Sequence, residues 1–110
     1  MSESNITDEK KISEMTLNEL CDHCHAIAKS KGFWDEERNI GEALMLVVTE
    51  IAEAMEGYRH QDEDNFREEI ADAFIRLFDF CGGMKIDIAD DIEKKSNINK
   101  KRPYKHGKVC

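Results

Sequence analysis

The sequence contains little proline and little glycine, and it has no long apolar run. One Pro and six Gly among 110 residues suit a helical protein better than a sheet-rich one. No stretch approaches the roughly 18 apolar residues of a membrane helix, so we expect no association with a membrane. The first residues, MSESNITDEKK, are polar and lack the apolar region of a secretory signal. We therefore expect a cytoplasmic protein.

Positive charge is scarce except at one end of the chain. With 24 Asp or Glu against 16 Lys or Arg, the net charge of -8 argues against binding to a nucleic-acid polymer. Residues 94–110, however, contain seven Lys or Arg and no acid. Such a segment could hold a small polyanion beside the acidic body if a cation lay between them. The simpler interpretation is a solvated terminus.

Hydrophobic periodicity and capping residues predict four helices and no strand. Short connections between them favour an all-α fold, an antiparallel bundle of about four helices. We expect residues 1–15 to be a frayed N-terminus and residues 16–108 to form one domain that ends in the basic tail. A chain of this length buries a modest core, so homo-oligomerisation would add stability. The predicted helices run from Thr16 to Gly32, from Asn39 to the loop HQDED, from after Asn65 to Gly82 and Gly83, and from Asp87 towards Pro103.

The apolar stripes of the second and third helices predict which of their residues form the core. A handful of polar residues joins these helices, so they should lie side by side. The residues expected to be buried are Leu44, Val47, Val48, Ile51, Met55 and Tyr58 on the second helix, and Phe66, Ile70, Phe74, Leu77, Phe78 and Cys81 on the third.

The same two helices each carry a pair of acids at the edge of the apolar arc. Glu50 and Glu53 are one turn apart, as are Glu69 and Asp72, so each pair can present its oxygens to a common point. Four converging carboxylates repel one another, and a divalent cation would remove that conflict. Oxygen ligands without His favour Mg²⁺ or Mn²⁺ and argue against the di-iron bundles. The alternative is an ordinary solvated acidic face.

Three segments, TEIAEAMEGYR, NFREEIADAFIRLFDF and GMKIDIADDIEKKSNINKKRPYKHGK, together resemble the MazG-type all-α nucleoside triphosphate pyrophosphohydrolases over roughly residues 17–108. The Glu-Glu-x-x-Glu element of that family is matched at Thr49, Glu50 and Glu53, with Thr in place of the first acid. Its Glu-x-x-Asp element is matched at Glu69 and Asp72. The resemblance implies that these four acids bind Mg²⁺, whereas the role of Thr49 stays open.

The tail supplies the more specific part of the resemblance. The family pattern of Lys-x-x-x-Asn, Arg-Pro and His-Gly-Lys occurs at Lys95, Asn99, Arg102, Pro103 and residues 106–108. Because Lys95, Asn99 and Arg102 share a face with the apolar residues of the fourth helix, we expect them to point inward and reach phosphates. Tyr104 could help to hold a nucleotide, although a packing role is the simpler interpretation.

The resemblance implies an enzyme that converts nucleoside triphosphates to monophosphates and pyrophosphate, with homodimers or tetramers as its assemblies. Its substrates would be surplus or non-canonical (deoxy)nucleotides. Glu53 and Glu50 are the candidate catalytic acids, with Glu53 preferred as the base, and Lys95 and Arg102 would offset charge on the leaving pyrophosphate. Another enzyme of the same superfamily, such as a phosphoribosyl-ATP pyrophosphohydrolase, shares the acidic motifs, but the tail pattern favours it less. From a different class, a non-catalytic acidic bundle that binds metal or a partner is the alternative.

The segment GFWDEERN places Phe33 and Trp34 just before the acidic second helix. An aromatic ring there could stack on a nucleobase, with Arg38 and Asn39 in the same pocket. The alternative is that Trp34 closes the end of the bundle, because aromatic side chains belong to the core more often than to a ligand site.

The segment CDHCH, residues 21–25, matches the haem-attachment pattern Cys-x-x-Cys-His. Haem attachment requires export, and a zinc site would need a second Cys pair. Cys21 and Cys24 also lie on the apolar stripe of the first helix, where reduced thiols pack as small hydrophobes. We therefore expect core cysteines here.

Overall fold

The computed structural model describes residues 10–104, and these residues form helices without any β-strand. The all-α prediction is therefore confirmed for this range. No helix between residues 10 and 104 is both long enough and apolar enough to cross a lipid bilayer. A 3₁₀ turn at Ile12–Glu14, within the segment expected to be frayed, is followed by α1 (Leu17–Ser30), α2 (Ile40–Arg59), α3 (Glu63–Gly83) and α4 (Ile88–Lys100).

Side-chain caps determine where the helices begin. Thr16 accepts a hydrogen bond from the backbone N–H of Glu19, whose carboxylate accepts one from the N–H of Thr16, so the predicted capping box is present. The prediction that α3 starts after Asn65 is wrong. Asp62 accepts a hydrogen bond from the N–H of Asn65, and α3 starts at Glu63. An Asp carboxylate is among the best N-caps, and here it takes precedence over Asn65.

Helices α2 and α3 form an antiparallel pair that meets along small residues. Gly57, near the turn at residues 60–62, lies against Phe66, whereas Glu50, further along α2, contacts Arg76. The later residue of α2 thus contacts the earlier residue of α3, so the two helices run antiparallel. The other small residues buried on the pair are Ala43, Ala54 and Ala73.

The close approach of α2 and α3 leaves large apolar side chains outside, so the core predicted for these helices is largely wrong. On α2, Ile51 is 54% exposed and Tyr58 is 68% exposed. Helical periodicity identifies an apolar face, but it does not show that the same chain covers that face. Leu44, Val48, Met55, Ile70, Phe74 and Leu77 are exposed too, Val47, Phe66 and Phe78 are half-buried, and Cys81 is buried as predicted.

Helix α1 packs against the C-terminal half of α3. A Cβ atom added to Gly82 would lie 2.6 Å from the carbonyl oxygen of Cys21, so the two backbones approach very closely. Cys21, Cys24 and Cys81 are buried free thiols, which confirms their prediction as core residues. Burial raises the pKa of Cys21 to about 11, so this thiol stays protonated at neutral pH.

Helix α4 packs on α1. The side-chain amide of Asn18 donates to Asp87 at 2.8 Å, and its carbonyl oxygen accepts from the N–H of Ala89 at 3.1 Å. These two hydrogen bonds attach the start of α4 to the start of α1.

The approach of α2 to α3 predicts an unusually sensitive glycine. A methyl group at Gly57 would lie 3.0 Å from the backbone nitrogen of Phe66 and 3.1 Å from its Cα, and neither atom can move unless the helices separate. We expect Gly57→Ala to lower the free energy of unfolding by about 1–3 kcal/mol in urea denaturation. The control is Gly41→Ala on the same helix, where a methyl group would meet only the Asn39 side chain, at 3.4 Å. This variant should be neutral or slightly more stable. Equal stability of the two variants would contradict the close approach.

Candidate metal centre and adjoining cavity

Three of the four acids predicted as metal ligands converge between α2 and α3. One carboxylate oxygen each of Glu50, Glu69 and Asp72 lies within 4.8 Å of the other two. Glu50 is 8% exposed, and Glu69 and Asp72 are half-buried. Glu69 and Asp72 are neighbours because residues three apart lie on the same face of a helix, and the small residues of α2 bring Glu50 to them.

Glu53, the fourth predicted ligand, lies at the border of this cluster. It is exposed and does not belong to the group of converging carboxylates found within residues 10–104. Its charge nevertheless contributes to the raised pKa of Glu69. Thr49 donates its hydroxyl to the carbonyl oxygen of Met45 at 3.0 Å and so bonds to its own helix. The roles of Glu53 as ligand and as base stay predictions.

An ion pair that sequence reasoning missed crosses the cluster. Arg76 Nε donates a hydrogen bond to Glu50 Oε2 at 2.6 Å, and this bond lowers the pKa of Glu50. A hydrogen bond shared with Glu50, together with burial and the neighbouring negative charges, raises the pKa of Glu69 to about 7. At neutral pH the Arg76 guanidinium and the partial protonation of Glu69 therefore balance part of the negative charge. The sequence feature that could have predicted this ion pair is the position of Arg76 four residues after Asp72, on the same face of α3 as the acids.

A second polar cluster surrounds Asp79 on α3, which is 6% exposed. Trp34 Nε1 donates to Asp79 Oδ1 at 2.8 Å, and Arg38 Nη1 donates to Oδ2 at 3.3 Å. His25 Nδ1 lies 3.1 Å from Oδ1, and its ring meets that of Trp34 edge-on with centroids 4.8 Å apart. These contacts hold the loop of residues 31–39 against α1 and α3.

A cavity of about 600 Å³ lies between α1, α3 and this loop and reaches the acidic cluster. Its volume falls within the range of small-molecule sites. Most of its wall is apolar, and Glu50, Asp72 and Arg76 are among the polar residues that line it. Of the two aromatic residues predicted to contact a base, Phe33 lines the cavity and Trp34 does not. The indole of Trp34 instead packs against Gly83 at the end of α3.

The predicted phosphate-binding residues of the tail neither line the cavity nor belong to the acidic cluster. Lys95, Asn99 and Arg102 are exposed, and α4 packs mainly on α1. The prediction that this face points inward is wrong for a single chain, because nothing in the described part of the chain covers it. Tyr104 is 89% exposed, and residues 106–108 of the tail pattern lie outside the described range. Their contacts with a substrate stay predictions.

Comparisons of the chain with protein-family models, with curated proteins and with solved structures found no match. The resemblance to the MazG-type enzymes therefore rests on the motifs alone. The activity and the ligands that it implies stay hypotheses.

Because the pKa of Glu69 is raised, we expect the affinity of the site for metal to depend on pH. Because the pKa of Glu69 is raised from 4.5 to about 7, the folded chain favours its protonated form, and a cation must displace that proton. We expect the affinity for Mn²⁺, measured by calorimetry, to rise by up to about tenfold per pH unit below neutrality and to level off above it. For the same reason the metal-free protein should gain stability as the pH falls from about 7 towards 4.5.

The control for this prediction is a neighbouring acid on α3. Glu69→Gln should remove most of the pH dependence of Mn²⁺ binding, whereas Glu68→Gln, at an exposed position, should retain it. Equal Mn²⁺ affinity of the unmodified protein at about pH 6 and about pH 8 would contradict the assignment of the proton to a metal ligand.

Proposed function

We propose that this protein is a Mg²⁺-dependent nucleoside triphosphate pyrophosphohydrolase, which releases a nucleoside monophosphate and pyrophosphate. The observation that carries the proposal is the convergence of Glu50, Glu69 and Asp72 beside a cavity of about 600 Å³. Its substrates would be surplus or non-canonical (deoxy)nucleotides in the cytoplasm.

The chemistry of the acidic cluster fits a hard divalent cation. Every potential ligand atom in it is a carboxylate oxygen, which Mg²⁺ and, as a second choice, Mn²⁺ accept. The hydrogen bond with Glu50, burial and the neighbouring negative charges raise the pKa of Glu69, and Arg76 forms an ion pair with Glu50, so the cluster carries negative charge that is only partly balanced. A bound cation would neutralise the remaining charge.

The residues around the cluster suggest separate roles in the reaction. Glu50, Glu69 and Asp72 would hold Mg²⁺, which would supply Lewis acidity and lower the pKa of a water molecule. Glu50, whose pKa is lowered by Arg76, stays ionised and serves as a ligand. Glu53, exposed at the border of the cluster, would accept the proton of the attacking water. Lys95, Asn99 and Arg102 would contact the phosphates and offset charge on the leaving pyrophosphate.

The apolar part of the cavity would hold the nucleoside. Phe33 lines it and is 57% exposed, so its ring is accessible to a base. Arg38 also lines the cavity and is fixed by Asp79. Trp34 lies beneath the guanidinium of Arg38, 5.1 Å from ring centroid to Cζ. It would therefore act by positioning Arg38 rather than by stacking on the base.

A nucleotide panel tests the activity. We expect pyrophosphate and a monophosphate to form from at least one NTP or dNTP with Mg²⁺, as measured by anion-exchange chromatography, and chelation of the metal should stop the reaction. Glu50→Gln and Asp72→Asn should each lower kcat/KM by at least about a hundredfold, because each removes a ligand charge. Glu68→Gln is the matched control and should retain activity. Metal binding without turnover of any nucleotide would instead favour the non-catalytic acidic bundle.

We also propose that a second copy of the chain covers the exposed apolar face of α2 and α3, giving a homodimer or a tetramer. On α2 the exposed residues recur at helical spacing, and the rings of Tyr58 and Phe66, 6.4 Å apart, join this stripe to α3. Exposed apolar patches of this kind are typical of association surfaces. A copy of the same chain carries the same face and can pair with it around a two-fold axis.

Light scattering coupled to size exclusion tests the assembly. We expect at least a dimer for the unmodified chain and a monomer for the double variant Ile51→Lys and Met55→Lys, because two charges in the face would have to be desolvated. Asp22→Lys, at an exposed position on α1, should leave the assembly intact. A monomeric unmodified protein at micromolar concentration would contradict the proposed pairing.

A further inference from the structure

We propose that Arg76 binds a phosphate group of the metal-bound triphosphate through its two terminal nitrogens while its Nε holds Glu50. The inference rests on the proposed function, and it adds a substrate contact that belongs neither to the acid pairs nor to the basic tail.

The geometry of Arg76 leaves most of its donors free. Its Nε donates to Glu50 Oε2 at 2.6 Å, and its terminal nitrogens make no hydrogen bond to any residue between 10 and 104. The side chain is 33% exposed, and Arg76 lines the cavity together with Glu50 and Asp72. A guanidinium carries five N–H donors, so four of them are available to a ligand in the cavity.

The chemistry of these free donors matches a phosphate. The guanidinium is planar and stays charged at any physiological pH, and its two terminal nitrogens can pair with two phosphate oxygens at once. An anion in the cavity is unfavourable beside Glu50 and Asp72 unless cations accompany it. A metal ion among the carboxylates and Arg76 at their edge would supply that charge from two sides. Lys could hold either Glu50 or a phosphate but lacks the fork needed for both.

This arrangement gives the removal of Arg76 a distinctive signature. The guanidinium competes with a cation for Glu50 but also keeps Glu50 ionised. Because these two effects oppose each other, its loss should leave the affinity for metal alone nearly unchanged or higher. The affinity for a triphosphate should fall, since its partner on Arg76 is gone. A residue that only stabilised the fold would weaken both kinds of binding together when replaced.

The experiment compares Arg76→Gln and Arg76→Lys with the unmodified protein, using Mn²⁺ alone and inorganic tripolyphosphate with Mg²⁺ as probes in calorimetry. We expect Mn²⁺ affinity to be unchanged or higher, and tripolyphosphate affinity to fall by about tenfold or more in both variants. The matched control is Arg67→Gln on the same helix, where an exposed Arg pairs with Glu63 at 3.9 Å. This control should bind both probes as the unmodified protein does.

Melting curves by circular dichroism first establish that the variants fold. If Arg76→Gln does not fold, the binding measurements on Arg76→Lys test the assignment, because Lys keeps a cation beside Glu50. Unchanged tripolyphosphate affinity, or an equal loss for both probes, would overturn the assignment. If the unmodified protein hydrolyses nucleotides and the Arg76 variants match it in tripolyphosphate binding, only the assignment fails. If the unmodified protein binds neither probe, the proposed function fails together with it.

Discussion

The close packing of α2 against α3 along alanine and glycine is the constraint on which the rest of the molecule depends. Ala43, Ala54 and Gly57 let the two backbones approach, and that approach brings Glu50 to Glu69 and Asp72. The carboxylates of Glu50, Glu69 and Asp72 could not converge if large residues held the two helices further apart. The same convergence lets Glu50 share a hydrogen bond with Glu69, which, together with burial and the neighbouring negative charges, raises the pKa of Glu69. It also places Glu50 in an ion pair with Arg76.

The same packing accounts for the apolar surface. Large side chains that would fill a wider gap between the helices, such as Ile51 and Met55, instead lie outside, where a monomer gains little from them. Within residues 10–104 the most enclosed residues are three thiols, three alanines, one glycine and two acids, so the core is small for the length of the chain. Metal binding and self-association would each add stability that the single chain lacks.

Sequence reasoning predicts the local features of this fold better than its contacts. The caps at Thr16, Asn39 and Asp87 are local signals, so the starts of three helices follow from the chain itself. The acid pairs likewise follow from spacing within one helix. The Arg76 ion pair and the three hydrogen bonds to Asp79 join residues far apart in sequence, and periodicity carries no information about which faces meet. The inward face of α2 was missed because small residues, rather than large apolar ones, form it.

The central claim is that the three carboxylates share one divalent cation, and anomalous diffraction from crystals grown with Mn²⁺ tests it most directly. The account predicts an anomalous peak within about 2.3 Å of carboxylate oxygens of Glu50, Glu69 and Asp72. A crystal in which these side chains keep their positions, with Mn²⁺ bound elsewhere or not at all, would contradict it.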